Sequence, residues 1–177
     1  MLTHISAPED ALREMLRVTK PGGIVAAREG DFETEAIWPE LPGLLKFHKL
    51  AADMISAAGG TSTAGRQLLS WAFKAGAERS QVKVSFSTWS YHTPSEKNTW
   101  GRSSILVFRG TVVLTKLVFE TQALIDRVKG GPLHEKGVKA GLTSENDLEE
   151  MAKDWEKWAG QIDSSVAVLH GEIIIQK

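Results

Sequence analysis

Apolar and polar positions follow two different periods along this chain. Ala11, Leu12, Met15 and Leu16 recur at three- and four-residue spacing, one face of a helix, until Pro21-Gly22-Gly23 breaks the pattern. Ser6-Ala7-Pro8-Glu9 has the Ser-x-x-Glu form of a capping box and places the start of that helix, with Ser6 as its cap. Ile24-Val25-Ala26-Ala27 follows as a short continuous apolar run bounded by turn residues. Such a run predicts a parallel strand covered on both faces rather than an alternating surface strand. Helix, glycine turn and buried strand in succession predict an α/β chain.

Helical spacing returns over Leu44–Ala58 through Leu44, Leu45, Phe47, His48, Ala51, Ala52, Met54 and Ile55, and Gly59-Gly60 stops it. A further helix over Ala64–Ala75 carries Leu68, Leu69, Ala72 and Phe73 on one stripe. Gln81–His92 alternates with period two through Val82, Val84 and Phe86, which predicts a second strand. Thr143–Gly160 reads as a helix with Thr143 as N-cap, and its early acids Glu145, Asp147, Glu149 and Glu150 suit the helix dipole. Trp155 and Trp158 stand three apart on that helix and are expected to bury together. Ser165–Gln176 predicts a last strand, interrupted at Gly171 by a bulge or a bend.

A length of 177 residues with 42% hydrophobic content fits one domain with a real core. The 21 lysines and arginines nearly balance 22 aspartates and glutamates, so there is no long-range field to attract DNA, RNA or an anionic membrane. Cysteine is absent and the five histidines are scattered, which removes thiolate chemistry and gives no metal-ligand spacing. Glu9, Asp10 and Glu14 occupy the region where a secretory signal would be apolar, and no apolar run reaches the eighteen or so residues of a membrane span. The expectation is a soluble, cytoplasmic protein with neither nucleic acid nor membrane as partner.

Several stretches resemble one family. "LTHISAPEDALREMLRVTKPGGIVAAREGDF", "WPELPGLLKFH", "AGRQLLSWAFKAGA" and "AVLHGEIII" are similar to the C-terminal half of class I S-adenosylmethionine-dependent methyltransferases, in the ubiquinone/menaquinone-biosynthesis-like branch of bacteria and fungi. The resemblance covers most of the chain. It implies a partial Rossmann-like α/β fold that retains the fifth, sixth and reversed, antiparallel seventh strands with their helices, and lacks strands one to three and nearly all of four. It also implies S-adenosylmethionine as methyl donor and a small-molecule acceptor such as a quinone, phenol or secondary metabolite.

The family's acidic-Gly-x-Gly-x-Gly loop, which lets backbone approach the donor, is missing from this sequence. Gly22-Gly23, Gly59-Gly60 and Gly130-Gly131 are isolated pairs better read as turn glycines, so no cofactor-binding residue is assigned. Donor binding by this chain alone is therefore expected to be weak or absent. Without its fourth strand, the fifth would present an open edge that favours a homodimer or aggregation.

A second departure lies between Gly101 and Ala123. Family members run from a Trp-Gly directly into a helix resembling Ala123–Leu142, and the 21 residues from Arg102 to Gln122 have no counterpart. Those residues correspond to 63 nucleotides in frame, a length that suits a retained intron; the alternative is a β-hairpin, since ILVF and TVVLTKLVF flank Arg109-Gly110. The transcript across codons 101 to 123 decides between them: a spurious insert requires that the dominant message lack all 63 nucleotides. The whole of 1–177 is otherwise read as a single partial methyltransferase domain.

Methyl transfer is an in-line displacement that depends on holding donor and acceptor at attack distance, with a base where the acceptor must lose a proton. His4 falls where the family has a histidine after its fourth strand, which makes it the candidate catalytic residue; otherwise it is a partly exposed histidine ahead of a helix. Arg28, Glu29 and Asp31 follow the fifth strand at the carboxyl edge of the sheet, where they would orient substrate or form an ordinary charged loop. Trp38 and Trp100 would line an acceptor pocket or simply pack. His170 and Glu172, two apart on the last strand, point to one face and would pair near the acceptor or form a buried structural pair.

Overall fold

The computed structural model of the protein describes residues 1–93, 96, 129 and 132–177, so Trp100, the segment 102–122 and Gly130-Gly131 lie outside the described residues. The described chain runs α1 (Pro8–Val18), β1 (Ile24–Trp38), α2 (Pro42–Ala57), α3 (Ala64–Lys74), β2 (Val82–Tyr91), α4 (Pro132–Lys139), α5 (Glu145–Gly160) and β3 (Ser165–Gln176), with single 3₁₀ turns at Leu2–His4 and Arg79–Gln81. The strands form one sheet in the order β1-β3-β2. The last strand is antiparallel to its neighbours, as the resemblance implies for a reversed final strand. At one end the Gly22 N–H donates to the Lys177 carbonyl and the Lys177 N–H to that of Gly23. The fold is thus α/β, three antiparallel strands with flanking helices.

Two compact units divide the chain. The first comprises Met1–Glu35, Ile55–Trp89 and Val168–Lys177. In it Leu12 of α1 and Leu68, Trp71 and Ala72 of α3 bury against Val25, Val82, Ile173 and Ile175 of the sheet. Removing this apolar surface from water supplies the unit's main stabilisation. Helix α3 begins almost in contact with the sheet: a Cβ on Gly171 would overlap the Gly65 carbonyl, and one on Gly65 would stand 2.8 Å from the Glu29 carbonyl oxygen. Gly171 is therefore a packing glycine, and β3 runs through it without interruption. What changes there is the phase of burial, from Val166, Val168 and His170 to Gly171, Ile173 and Ile175.

Ala36–Met54 and Ser90–Ala167 make up the second unit. Its core joins Leu44, Phe47 and Leu50 of α2 with Leu148, Met151, Trp155 and Trp158 of α5. The two tryptophans bury completely as expected, edge to face with ring centroids 5.4 Å apart. Gly43 lets α2 start against α5, since a Cβ there would meet the Glu150 carbonyl oxygen at 2.6 Å, and its N–H donates to Asp154 Oδ2 at 2.7 Å. His48 packs its ring against Phe47 and Trp155, and burial lowers its pKa to about 4.

Local details depart from expectation for identifiable reasons. Ser6 does not cap α1; Ala7 is the N-cap and accepts no side-chain bond, with Pro8 opening the helix from a φ already suited to it. Strand β1 is not four residues covered on both sides but fifteen, with Ile24 at 64% exposure, because only one face of it meets α1 and α3. On β2, Val82 is buried but Val84 and Phe86 are exposed, the fate of apolar residues on an outer strand. Phe73 likewise faces outward and Trp71 takes the core position on α3. Ser144 rather than Thr143 caps α5, accepting the Asp147 N–H.

Candidate functional site

Alternation along three neighbouring strands of the first unit brings a polar constellation to one sheet face: Arg28 and Gly30 from β1, Ser85, Ser87 and Trp89 from β2, His170 and Glu172 from β3. Glu172 is the hub. It accepts Ser85 Oγ at 2.8 Å and Ser87 Oγ at 2.7 Å, and Arg28 Nε lies 3.1 Å away. The two serine hydroxyls and then the guanidinium hold its carboxyl below the usual range. Arg28 also donates to Ser87 Oγ at 2.8 Å and lies over the Trp89 ring, 4.6 Å from its centroid. The same indole packs on the His170 imidazole at 4.0 Å between centroids, tilted by 33°. The sequence expectation that His170 and Glu172 share a face holds, and the partners they find are on β2 and β1.

The other side of β1 carries Glu29 and Asp31, both buried within the strand rather than in a loop beyond it. Glu29 accepts the Leu2 N–H at 2.6 Å, Thr3 Oγ1 at 2.8 Å and the Met1 ammonium at 2.8 Å. Burial opposes its ionisation, but these donors outweigh it and hold the carboxyl below the usual carboxylate range. Asp31 forms a two-pronged pair with Arg66 of α3, whose guanidinium also approaches Glu33 at 3.5 Å. Both acids therefore tie together segments distant in sequence, and Arg28 alone of the three joins the constellation.

His4 ends the first 3₁₀ turn and feels Glu29 electrostatically; burial and then the terminal ammonium lower its pKa, against the pull of that carboxylate. Trp38 belongs to the second unit, is 59% exposed, and offers its backbone carbonyl to Trp158 Nε1 at 3.0 Å. The six residues singled out from sequence thus occupy separate places: His4 and Glu29 share one neighbourhood, Asp31 pairs with Arg66, Arg28 joins His170, and Trp38 stands elsewhere. Sequence reasoning missed Ser85, Ser87 and Trp89, although the period-two set in "SFSTW" placed all three on one strand face.

Gly22 and Gly59 have φ of 78° and 80° in the turns after α1 and α2, which bears out their reading as turn glycines. Among the described residues, no group of three or more His, Asp or Glu is placed to hold a metal ion. No helix among them is long and apolar enough to cross a membrane.

No family model matches the chain. Over 101 residues it is 36% identical to an uncharacterized methyltransferase of Schizosaccharomyces pombe, an alignment that takes in 56% of this chain and 35% of that protein. The chain therefore spans about a third of the length of the curated relative it matches, and its similarity is to a methyltransferase.

Proposed function

We propose that this chain is the C-terminal part of an S-adenosylmethionine-dependent methyltransferase of the ubiquinone/menaquinone-biosynthesis-like branch, acting in the cytoplasm on a small quinone, phenol or secondary metabolite. The similarity over 101 residues to a methyltransferase carries the reading. A reversed last strand in a sheet with flanking helices supports it. The donor site is completed by elements that this sequence does not contain, since the glycine-rich loop has no counterpart in it. In such an enzyme these residues contribute scaffold and acceptor-side groups, and catalysis comes largely from holding the reactants in line.

Calorimetry with S-adenosylhomocysteine tests the proposal. The 177-residue chain is expected to bind undetectably, and a product extended by the in-frame upstream sequence to bind at micromolar concentration. Upstream DNA without an acidic-Gly-x-Gly-x-Gly segment, together with an extended product that does not bind, would overturn the methyltransferase reading. Micromolar binding by the chain alone would overturn only its incompleteness. A second reading, a non-catalytic chain that pairs through its sheet edge, is favoured by one observation: among the described residues β1 has a strand partner on one side only.

A further inference from the structure

His170 Nδ1 lies 3.2 Å from the Val168 carbonyl oxygen. A carbonyl only accepts, so Nδ1 carries the proton and the lone pair of the neutral ring resides on Nε2. Burial, aided by the Arg28 guanidinium, lowers the pKa below the ordinary histidine value, against the Val168 bond and the carboxylates of Glu172 and Glu29, so the neutral ring prevails at pH 7. The side chain is only 7% exposed, yet among the described residues Nε2 has no hydrogen-bond partner, and it is not sealed from solvent.

Glycine 30 keeps the approach open: a Cβ there would stand 3.5 Å from Nε2. Around the nitrogen the charges are already spent, with Arg28 and Glu172 paired at 3.1 Å, so neither an anion nor a cation finds an unmatched partner. The Trp89 ring packs against the imidazole and remains 38% exposed, an aromatic wall beside a lone pair.

We propose that His170 Nε2, beside the part-exposed Trp89, forms a binding site for a neutral planar ligand that carries one O–H or ring N–H donor, the donor bonding to Nε2. Arg28 and Glu172 hold Trp89 and the imidazole in place, and Gly30 admits the ligand. The ligand falls in the class proposed as methyl acceptor, so its role in methyl transfer rests on that reading, while its binding is read without a methyl donor.

Long-range ¹H–¹⁵N spectra of the full chain with labelled histidine test it, with phenol as probe and anisole as the same ring without a donor. In the free protein the His170 pattern should be that of a protonated Nδ1 and a bare Nε2. Phenol should shift Nε2 saturably, at concentrations about tenfold lower than any effect of anisole. Gly30→Val should keep the tautomer and lose the phenol response, which tests the site even if His170→Phe fails to fold. A protonated Nε2 in the free protein, equal responses to phenol and anisole, or an undiminished response in Gly30→Val would each overturn the proposal.

Discussion

Glu29 and Glu35 lie on one strand, and burial opposes the ionisation of both, yet their carboxyls shift in opposite directions. Glu29 meets enough donors to stay ionised, whereas burial pushes the Glu35 carboxyl up to about 8. A carboxyl whose folded pKa exceeds its unfolded value near 4.5 stabilises the fold fully below that value, and the contribution is lost as pH rises through about 8. The loss runs at up to about 1.4 kcal/mol per pH unit. Urea unfolding of Glu35→Gln and the parent chain should therefore give a difference that grows in favour of the variant as pH rises from 5 toward 8. A difference that stays constant over that window would show that Glu35 is ordinarily ionised. At this scale the sequence displayed the acids but not their partners. Arg66 reaches Asp31 from 35 residues away, and only folding puts it there.

Helix α3 and strand β3 meet at two glycines, and that contact sets how closely the helix can approach the sheet. Gly171→Ala forces a methyl group into the Gly65 backbone, which cannot yield as a flexible side chain would. The expected loss is at least about 3 kcal/mol, the upper part of the range for overpacking. Gly30→Ala, whose Cβ meets only ordinary contacts, should stay within about 1 kcal/mol of the parent. Thermal or urea unfolding compares the two, and similar losses for both would mean that the close approach is not what Gly171 provides. The elements themselves were legible, because apolar spacing and glycine stops are local: α2, α3, α5, β2 and β3 fall within a few residues of their expected bounds. The length of β1 was not, since Arg28, Glu29, Gly30 and Asp31 look like a turn until the neighbouring strand pairs with them.

At the scale of the molecule, the sheet order β1-β3-β2 leaves β1 and β2 as outer strands among the described residues. Exposed Ile24, Phe86, Trp89 and Ile174 add apolar surface in the first unit. Unpaired backbone and apolar side chains on an edge strand favour association. Size-exclusion with light scattering of the purified chain should give a concentration-dependent dimer or larger species, and Ile24→Lys should shift it toward monomer. A chain that stays monomeric at high micromolar concentration would count against edge pairing.

The sequence by itself determined which segments are helix or strand and that the final helix buries its tryptophans. It also carried the resemblance to methyltransferases, because periodicity, turn glycines and matching words are properties of the chain read in order. Tertiary structure alone decided which face of each strand is covered, that Gly171 serves packing rather than a bend, and that Arg28, Trp89, His170 and Glu172 meet. Those residues lie up to 144 positions apart. Their contact depends on strand order and register, long-range choices fixed by which apolar surfaces bury against each other and written in no local stretch of sequence.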